Sequence, residues 1–313
     1  MPLSFRHIAW LLCLMLNTSL AQTIHQYVVP ESGNSLIGEN SWVTASTDDT
    51  LIDLAARYQS GYNLLRAANP GVDPWLPGEG TQVLLPEQTI LPSQSHEGIV
   101  INVAEMRLYH FRQEDKNGQQ RVDVFPISVG RGDWSTPVTT THVTGRAKDP
   151  VWYPPESIRA EHAARGDYLP SKVPAGPNNP LGPYLLTLDI PSYFIHGTNK
   201  RFGIGMQVTH GCIRMYPEDI EQLVKQTPND TPVTIINQPF KAGWQDTTLY
   251  LEVHPPLEGE NGVVSEISTT AVVHALIEAT QQMPEADIDW DRVNQVIAEA
   301  RGIPQKVGVL DRI

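Results

Sequence analysis

His196-Gly197-Thr198 is followed, after ten further residues, by Thr209-His210-Gly211-Cys212-Ile213-Arg214. A thiol is a strong nucleophile only as the thiolate, and a nearby imidazole can take its proton while a backbone group holds that imidazole in one tautomer. His196, at the end of the strand-like run from Tyr193, is the candidate base, and Cys212 is the candidate nucleophile. Gly211 has no Cβ, so the chain can bend there and present the sulfur together with the amides of Gly211 and Cys212, which suit an oxyanion hole. Two other readings stay open. His196, His210 and Cys212 could be zinc ligands, although His-x-Cys is an unusual spacing and a fourth ligand is not evident. Arg214 could simply pair with Glu218 or Asp219 at the start of the next helix.

Around this segment the apolar period is two. Ile99, Ile101 and Val103 alternate, Arg107 to Phe111 and Val122 to Val129 flank a polar turn at Asp115 to Gly118, and Leu185 to Leu188 and Val233 to Ile236 add further runs. These predict strands of a hairpin-rich sheet. Pro150 to Pro183 holds eight prolines, and so long a proline-rich stretch is expected to be a cover over a site or an ordered surface loop. Pro217 opens a short helix with Ile220, Leu223 and Val224 on one face. Beyond Asn237, Val263 to Gln282 and Asp289 to Ala300 read as amphipathic helices, the second with Trp290, Val293 and Ile297 in register, which predicts a small helical subdomain over 238–313.

Upstream, Trp42-Val43-Thr44, Leu51 to Tyr58, Leu64 to Ala68 and Val83 to Leu85 predict strand, helix, helix, strand, with Asp48 or Asp49 as the first N-cap. Residues 87–97, with their prolines and polar side chains, read as a linker.

The chain has 313 residues, 22 Lys plus Arg and 35 Asp plus Glu, for a formal charge of −13. That length allows two or three domains, and that charge argues against a nucleic-acid binder, which needs cations to displace phosphate counterions. Arg6, the apolar stretch Ile8 to Leu16 and the small residues Ser19 and Ala21 predict a signal peptide over 1–21, cleaved after Ala21. The stretch is too short to span a bilayer, and no later segment is long and apolar enough. Cys13 would leave with the signal, so the exported chain would keep Cys212 alone in an oxidising compartment.

The two motifs together resemble the active-site signature of the L,D-transpeptidases with a YkuD-type catalytic domain, over roughly Gly98 to Asn237. Within that family the likeness is to periplasmic enzymes that attach the major outer-membrane lipoprotein to peptidoglycan, with which the chain shares Pro174-Ala175-Gly176-Pro177, Asn179-Pro180-Leu181-Gly182 and Phe202-Gly203-Ile204-Gly205. Residues 42–86 resemble a LysM module, a binder of N-acetylglucosamine backbones, with Asp48 where a glycine is usual; Thr139 likewise stands where the broader family often has glycine.

The resemblance implies a mainly β catalytic domain, a YkuD-type β-sandwich with short helices over 98–237. A small β-α-α-β LysM-like module over 42–86 precedes it and the helical subdomain follows. It implies Cys212 as nucleophile, His196 as base, the Gly197 carbonyl as the group orienting that base, and the amides of Gly211 and Cys212 as the oxyanion hole. His210, Arg214 and Thr209 are assigned to substrate-side contacts. The implied partners are peptidoglycan tetrapeptide stems, glycan strands and a lipoprotein acceptor, in the periplasm, and no metal or organic cofactor is implied. A hydrolase of the same fold, or a LysM protein without catalysis, are the alternatives.

Overall fold

The computed structural model describes residues 25–283 and 285–310, so the expected signal peptide, with Cys13, lies outside the described residues. Strands β1 (Gln26–Val28) and β2 (Leu36–Ile37) lead into a unit of β3 (Ser41–Thr44), α1 (Leu51–Arg57), α2 (Tyr62–Ala68) and β4 (Gln82–Leu85). Here β3 and β4 pair antiparallel, and Leu51, Leu54, Leu65 and Ala68 bury the apolar stripes of the two helices against them. The N-cap of α1 is Thr50, not Asp48 or Asp49. Thr50 accepts from the Asp53 N–H while the Asp53 carboxylate accepts from the Thr50 N–H, a reciprocal capping box. Asp49 instead accepts the Ser46 N–H at 2.8 Å and pairs with Arg57.

The stretch expected to be a linker is not an exposed tether. It carries β5 (Thr89–Ile90), which pairs with β2, and Thr89, Ile90 and Leu91 are buried. The α1–α2 unit is docked on the domain that follows. The N–H groups of Tyr62 and Asn63 donate to the carbonyls of Ile204 and Gly205, both at 3.1 Å, and the Tyr216 hydroxyl donates to the carbonyls of Ala55 and Ser60.

The main sheet is built from β6 (Gly98–Asn102), β7 (Arg107–Phe111), β8 (Arg121–Gly130), β9 (Thr139–Lys148), β10 (Tyr184–Leu188), β11 (Phe194–His196), β12 (Gln207–Thr209), β13 (Ile213–Met215) and β14 (Pro232–Ile236), with α3 (Glu156–Ala164) and α4 (Pro217–Gln226) between strands. Two long strands close it. Val122 to Pro126 of β8 pair with β7, whereas Ile127 and Ser128 pair with β13. Thr139 to His142 of β9 likewise pair with β14 and the remainder with β10. Because each strand serves both layers, the path β8-β13-β11-β10-β9-β14-β6-β7 returns to β8, and the mainly β sandwich leaves few free edges. Ile99, Ile101, Leu108, Phe125, Ile127, Ile195 and Ile213 fill the interior together with Ile220 and Leu223 of α4. The alternate residues Val100, Tyr109, Val122 and Val124 face a second cluster with Ile37 and Leu91. Both faces of β6 and β7 are therefore buried, which explains the unbroken apolar run Ile99-Val100-Ile101 of β6.

The C-terminal region corrects the expectation of a helical subdomain. Its frame is the antiparallel sheet of β15 (Phe240–Gln245), β16 (Thr248–Val253), β17 (Ala286–Ile288) and β18 (Gln305–Leu310), packed with α5 (Thr269–Thr280) and α6 (Trp290–Glu299). Leu249, Leu251 and Val253 show a two-residue period, but Glu252 among them and Lys241 on β15 have the look of solvent-facing charges. They are instead buried: the Lys241 ammonium lies 2.7 Å from Glu105 and 3.2 Å from Glu252, with Arg107, Tyr109, His254 and Thr89 around it. This ionic cluster joins β16, β7 and the supposed linker. The helix expected from Val263 begins only at Thr269, capped by Ser268, because Glu258 and Val264 form a β-bridge. In α6, Val293 and Val296 face the core while Trp290 is exposed. Among the described residues no helix is long and apolar enough to cross a membrane.

Candidate active site

Strands β11 and β13 are parallel neighbours, with Ile195 opposite Ile213 and His196 opposite Arg214. Side chains alternate along a strand, so the two isoleucines enter the core while His196 and Arg214 share the other face. Cys212 immediately precedes β13, and its Sγ donates to the Ser192 carbonyl at 3.6 Å. His196 is buried, and its Nδ1 lies 2.6 Å from the Gly197 carbonyl, which fixes the ring. Burial, reinforced by the Arg214 guanidinium, pushes the imidazole down to about 3, against the pull of the Gly197 and Leu181 carbonyls. Burial pushes the Cys212 thiol up, with a backbone hydrogen bond from Phe194 and the charge of Arg214 opposing it. Both shifts favour the neutral thiol and the neutral imidazole over the ion pair.

Gly211 is required twice over. Its φ is +99°, and a Cβ there would meet the Tyr193 ring at 2.7 Å. Thr209 departs from its expected role, since it is 2% exposed. Its hydroxyl donates to the Cys212 carbonyl at 2.6 Å and accepts the Gly211 N–H at 3.2 Å, so it staples the nucleophile loop instead of facing substrate. The Gly211 amide is correspondingly engaged in this state. Thr136 supports the same loop by donating to the Gly211 carbonyl at 2.8 Å.

Arg214 does not pair with the acids of α4. Glu218 is taken by Arg201, and the buried Asp219 carboxyl is raised to about 8, by burial first and then by Glu218. Among the described residues Arg214 makes no ion pair, and its buried Nε has no hydrogen-bond partner. His210 Nε2 lies 2.8 Å from Glu161 on α3, and the Trp134 ring stands edge-on to it at 5.1 Å. The ligand atoms of His196, His210 and Cys212 do not converge as a metal set; the one such cluster among the described residues is Glu105, Glu252 and His254, where Lys241 already supplies the cation.

The proline-rich stretch carries α3 across this region. Its two ends are joined by a bridge between Trp152 and Val173 and by Asn179, whose side chain donates to the Pro150 and Pro174 carbonyls and accepts from the Leu181 N–H. Gly182, with φ +68°, then packs so closely on Gly197 and Thr198 that a Cβ would lie 2.5 Å from the Thr198 nitrogen. Glu161, Arg131, Thr136 and Asn179 join the site although their sequence context does not single them out as functional. The signals available were family words alone, Asn179 within Asn179-Pro180-Leu181-Gly182 and Thr136 within Thr136-Pro137.

A closed β-sandwich with a backbone-anchored histidine ending one strand and a half-buried cysteine just before its parallel neighbour is the frame of an enzyme that works by covalent acyl transfer. The family model described as the L,D-transpeptidase catalytic domain, YkuD, matches residues 96–235. The protein named Probable L,D-transpeptidase YbiS from Escherichia coli K12 is 40% identical over 90% of this chain and 91% of its own. Probable L,D-transpeptidase ErfK/SrfK from Salmonella typhimurium is 39% identical over 90% of each chain. Among solved structures, L,D-transpeptidase 3 from Mycobacterium tuberculosis is 14% identical, covering 51% of this chain and 76% of that one with a TM-score of 0.32. The chain belongs to the L,D-transpeptidase family, and it is a peptidoglycan L,D-transpeptidase.

Proposed function

We propose that Cys212 forms a thioester with a peptidoglycan tetrapeptide stem and passes the acyl group to an amine. The observation that carries this reading is the parallel register of β11 and β13, which sets His196 opposite Arg214, two residues after Cys212. The sulfur attacks the carbonyl between the L-centre of diaminopimelate and the terminal D-alanine as His196 takes the thiol proton. Since the neutral pair is favoured, proton transfer accompanies attack. The amides of Cys212 and Gly211 stabilise the oxyanion, with Gly211 leaving Thr209 to do so. D-alanine departs with the proton from His196. An acceptor amine then attacks the thioester, its proton returns through His196, and the Cys212 thiol is regenerated. Arg214, a half-buried cation with no acid partner among the described residues, suits a substrate carboxylate.

The first-ranked acceptor is the terminal lysine of an outer-membrane lipoprotein, which makes the product a wall tether in the periplasm. The side chain of another stem would give a 3-3 cross-link, and water would give hydrolysis. The LysM-like unit, with Trp42, Trp75 and Leu76 exposed, would hold the enzyme on glycan strands as a docked part of the body. Mass spectrometry of muropeptides after incubation with tetrapeptide-bearing sacculi, with and without lipoprotein, tests the reading. Lipoprotein-linked muropeptides are expected. Tripeptides alone would make the enzyme a hydrolase, and unchanged sacculi would overturn the proposal.

A further inference from the structure

We propose that Arg131 and His210 form a carboxylate subsite for the donor stem, and that Glu161 of α3 occupies it in the free enzyme as an intramolecular stand-in. The inference rests on the reading of Cys212 as nucleophile, because it places the subsite beside that residue.

Arg131 follows β8, and its own N–H donates to the Thr209 carbonyl at 3.1 Å, so it is fixed to the strand that leads into Cys212. Its Nη2 lies 3.3 Å from His210 Nε2. A guanidinium has only donors, so that contact is held by what both groups face. Glu161 supplies it, with one carboxylate oxygen 2.6 Å from Arg131 and the other 2.8 Å from His210. His210 therefore carries its proton on Nε2, and two donors from the body of the enzyme converge on one carboxylate. Arg165 adds a third contact at 3.3 Å, from α3 itself.

The carboxylate is on a weakly held element. Helix α3 has no buried residue and no side-chain N-cap. Partly exposed ion pairs such as these contribute little net stability each, so their exchange for an incoming carboxylate is nearly balanced. A tetrapeptide stem brings two carboxylates close to the scissile bond, the terminal one of D-alanine and the side-chain one of diaminopimelate. Either replaces Glu161 like for like, and α3 lifts as the stem enters.

The test is steady-state kinetics of Glu161→Gln and Arg131→Met on soluble tetrapeptide, and on the same stem with its terminal carboxylate amidated. Removing the competing charge is expected to lower KM several-fold in Glu161→Gln while kcat stays within about twofold. Losing a charge-assisted contact in Arg131→Met should raise KM roughly 10- to 100-fold. If the terminal carboxylate is the ligand, amidation abolishes the gain of Glu161→Gln; if the diaminopimelate carboxylate is, the gain survives. A KM that is unchanged or raised in Glu161→Gln, or a loss confined to kcat, overturns the subsite and makes Glu161 a positioning residue for His210. Trapping of the stem as a Cys212 thioester in that same variant shows that the nucleophile stands even where the subsite fails.

Discussion

Replacing Gly205 by alanine should loosen the α1–α2 unit from the catalytic domain. Gly205 has a φ of +81°, and a Cβ there would lie 2.3 Å from the Gly61 Cα and 2.4 Å from the Tyr62 nitrogen, both backbone atoms that cannot rotate away. The left-handed backbone alone costs an L-residue about 1–2 kcal/mol. Overpacking of this kind adds about 1–3 kcal/mol. Separating the surfaces also loses the two bonds from Tyr62 and Asn63, each about 1 kcal/mol. The expected loss is therefore about 4–7 kcal/mol. Gly71 provides the control, with a φ of +87° and nothing within 4 Å of where a methyl group would sit, so Gly71→Ala carries the conformational cost alone. Urea unfolding of the two variants, with limited proteolysis at the Tyr58 to Gly61 connection, measures the difference. A gap below about 0.5 kcal/mol between them would show that this contact does not hold the unit in place.

Cys212→Ala should abolish acyl transfer while keeping the parent's unfolding midpoint, and a purified variant that still turns over donor would remove Cys212 from the chemistry. His196→Ala should lose roughly 10²-fold or more in rate, with activity within a fewfold of the parent moving the base elsewhere. Because burial raises the Cys212 thiol, its alkylation by iodoacetamide should climb about tenfold per pH unit between pH 6 and 8, and Arg214→Gln should slow it further. A plateau within that range would mean a preformed thiolate. Lys241→Met should destabilise the fold by about 3–5 kcal/mol, since it removes the cation that two buried carboxylates, Glu105 and Glu252, share. Although burial opposes it, Lys241, His254 and Arg107 hold Glu252 well below the usual carboxylate range. The unfolded chain thus binds more protons in acid, and the stability this cluster contributes near neutral pH is lost as pH falls below that range.

Strands β6, β7, β8, β10, β11 and β14 and helices α1, α2 and α4 were legible from their apolar patterns, whereas the long β9 was not, because Val143 is its single buried residue, and the three-residue strands β12 and β13 are too short to show a period. The nucleophile loop was legible because glycine beside cysteine, with a histidine ending a nearby strand, is a demand of the chemistry. What stayed hidden depended on long-range partners. Lys241 and Glu252 alternate with apolar residues as solvent-facing charges do, and only the fold brings Glu105 and Arg107 to them. Ile90 and Leu91 stand among prolines and polar residues, yet Ile90 meets Gly243 and Glu252 of the C-terminal sheet while Leu91 joins the cluster on the outer face of β6, β7 and β8. Thr209 and His210 are adjacent in the motif, but one turns inward as a staple and the other meets Glu161, 49 residues upstream. Nothing local in the proline-rich stretch distinguishes Glu161 from its neighbouring acids.

The thioester itself can be caught by intact-protein mass spectrometry during turnover of a soluble tetrapeptide without an acceptor, with free D-alanine measured alongside. The mechanism predicts a covalent adduct equal to the stem minus D-alanine, located on Cys212 by peptide mapping, and neither adduct nor D-alanine with Cys212→Ala. Release of D-alanine by Cys212→Ala at the parent's rate, or an adduct on any other residue, would contradict it.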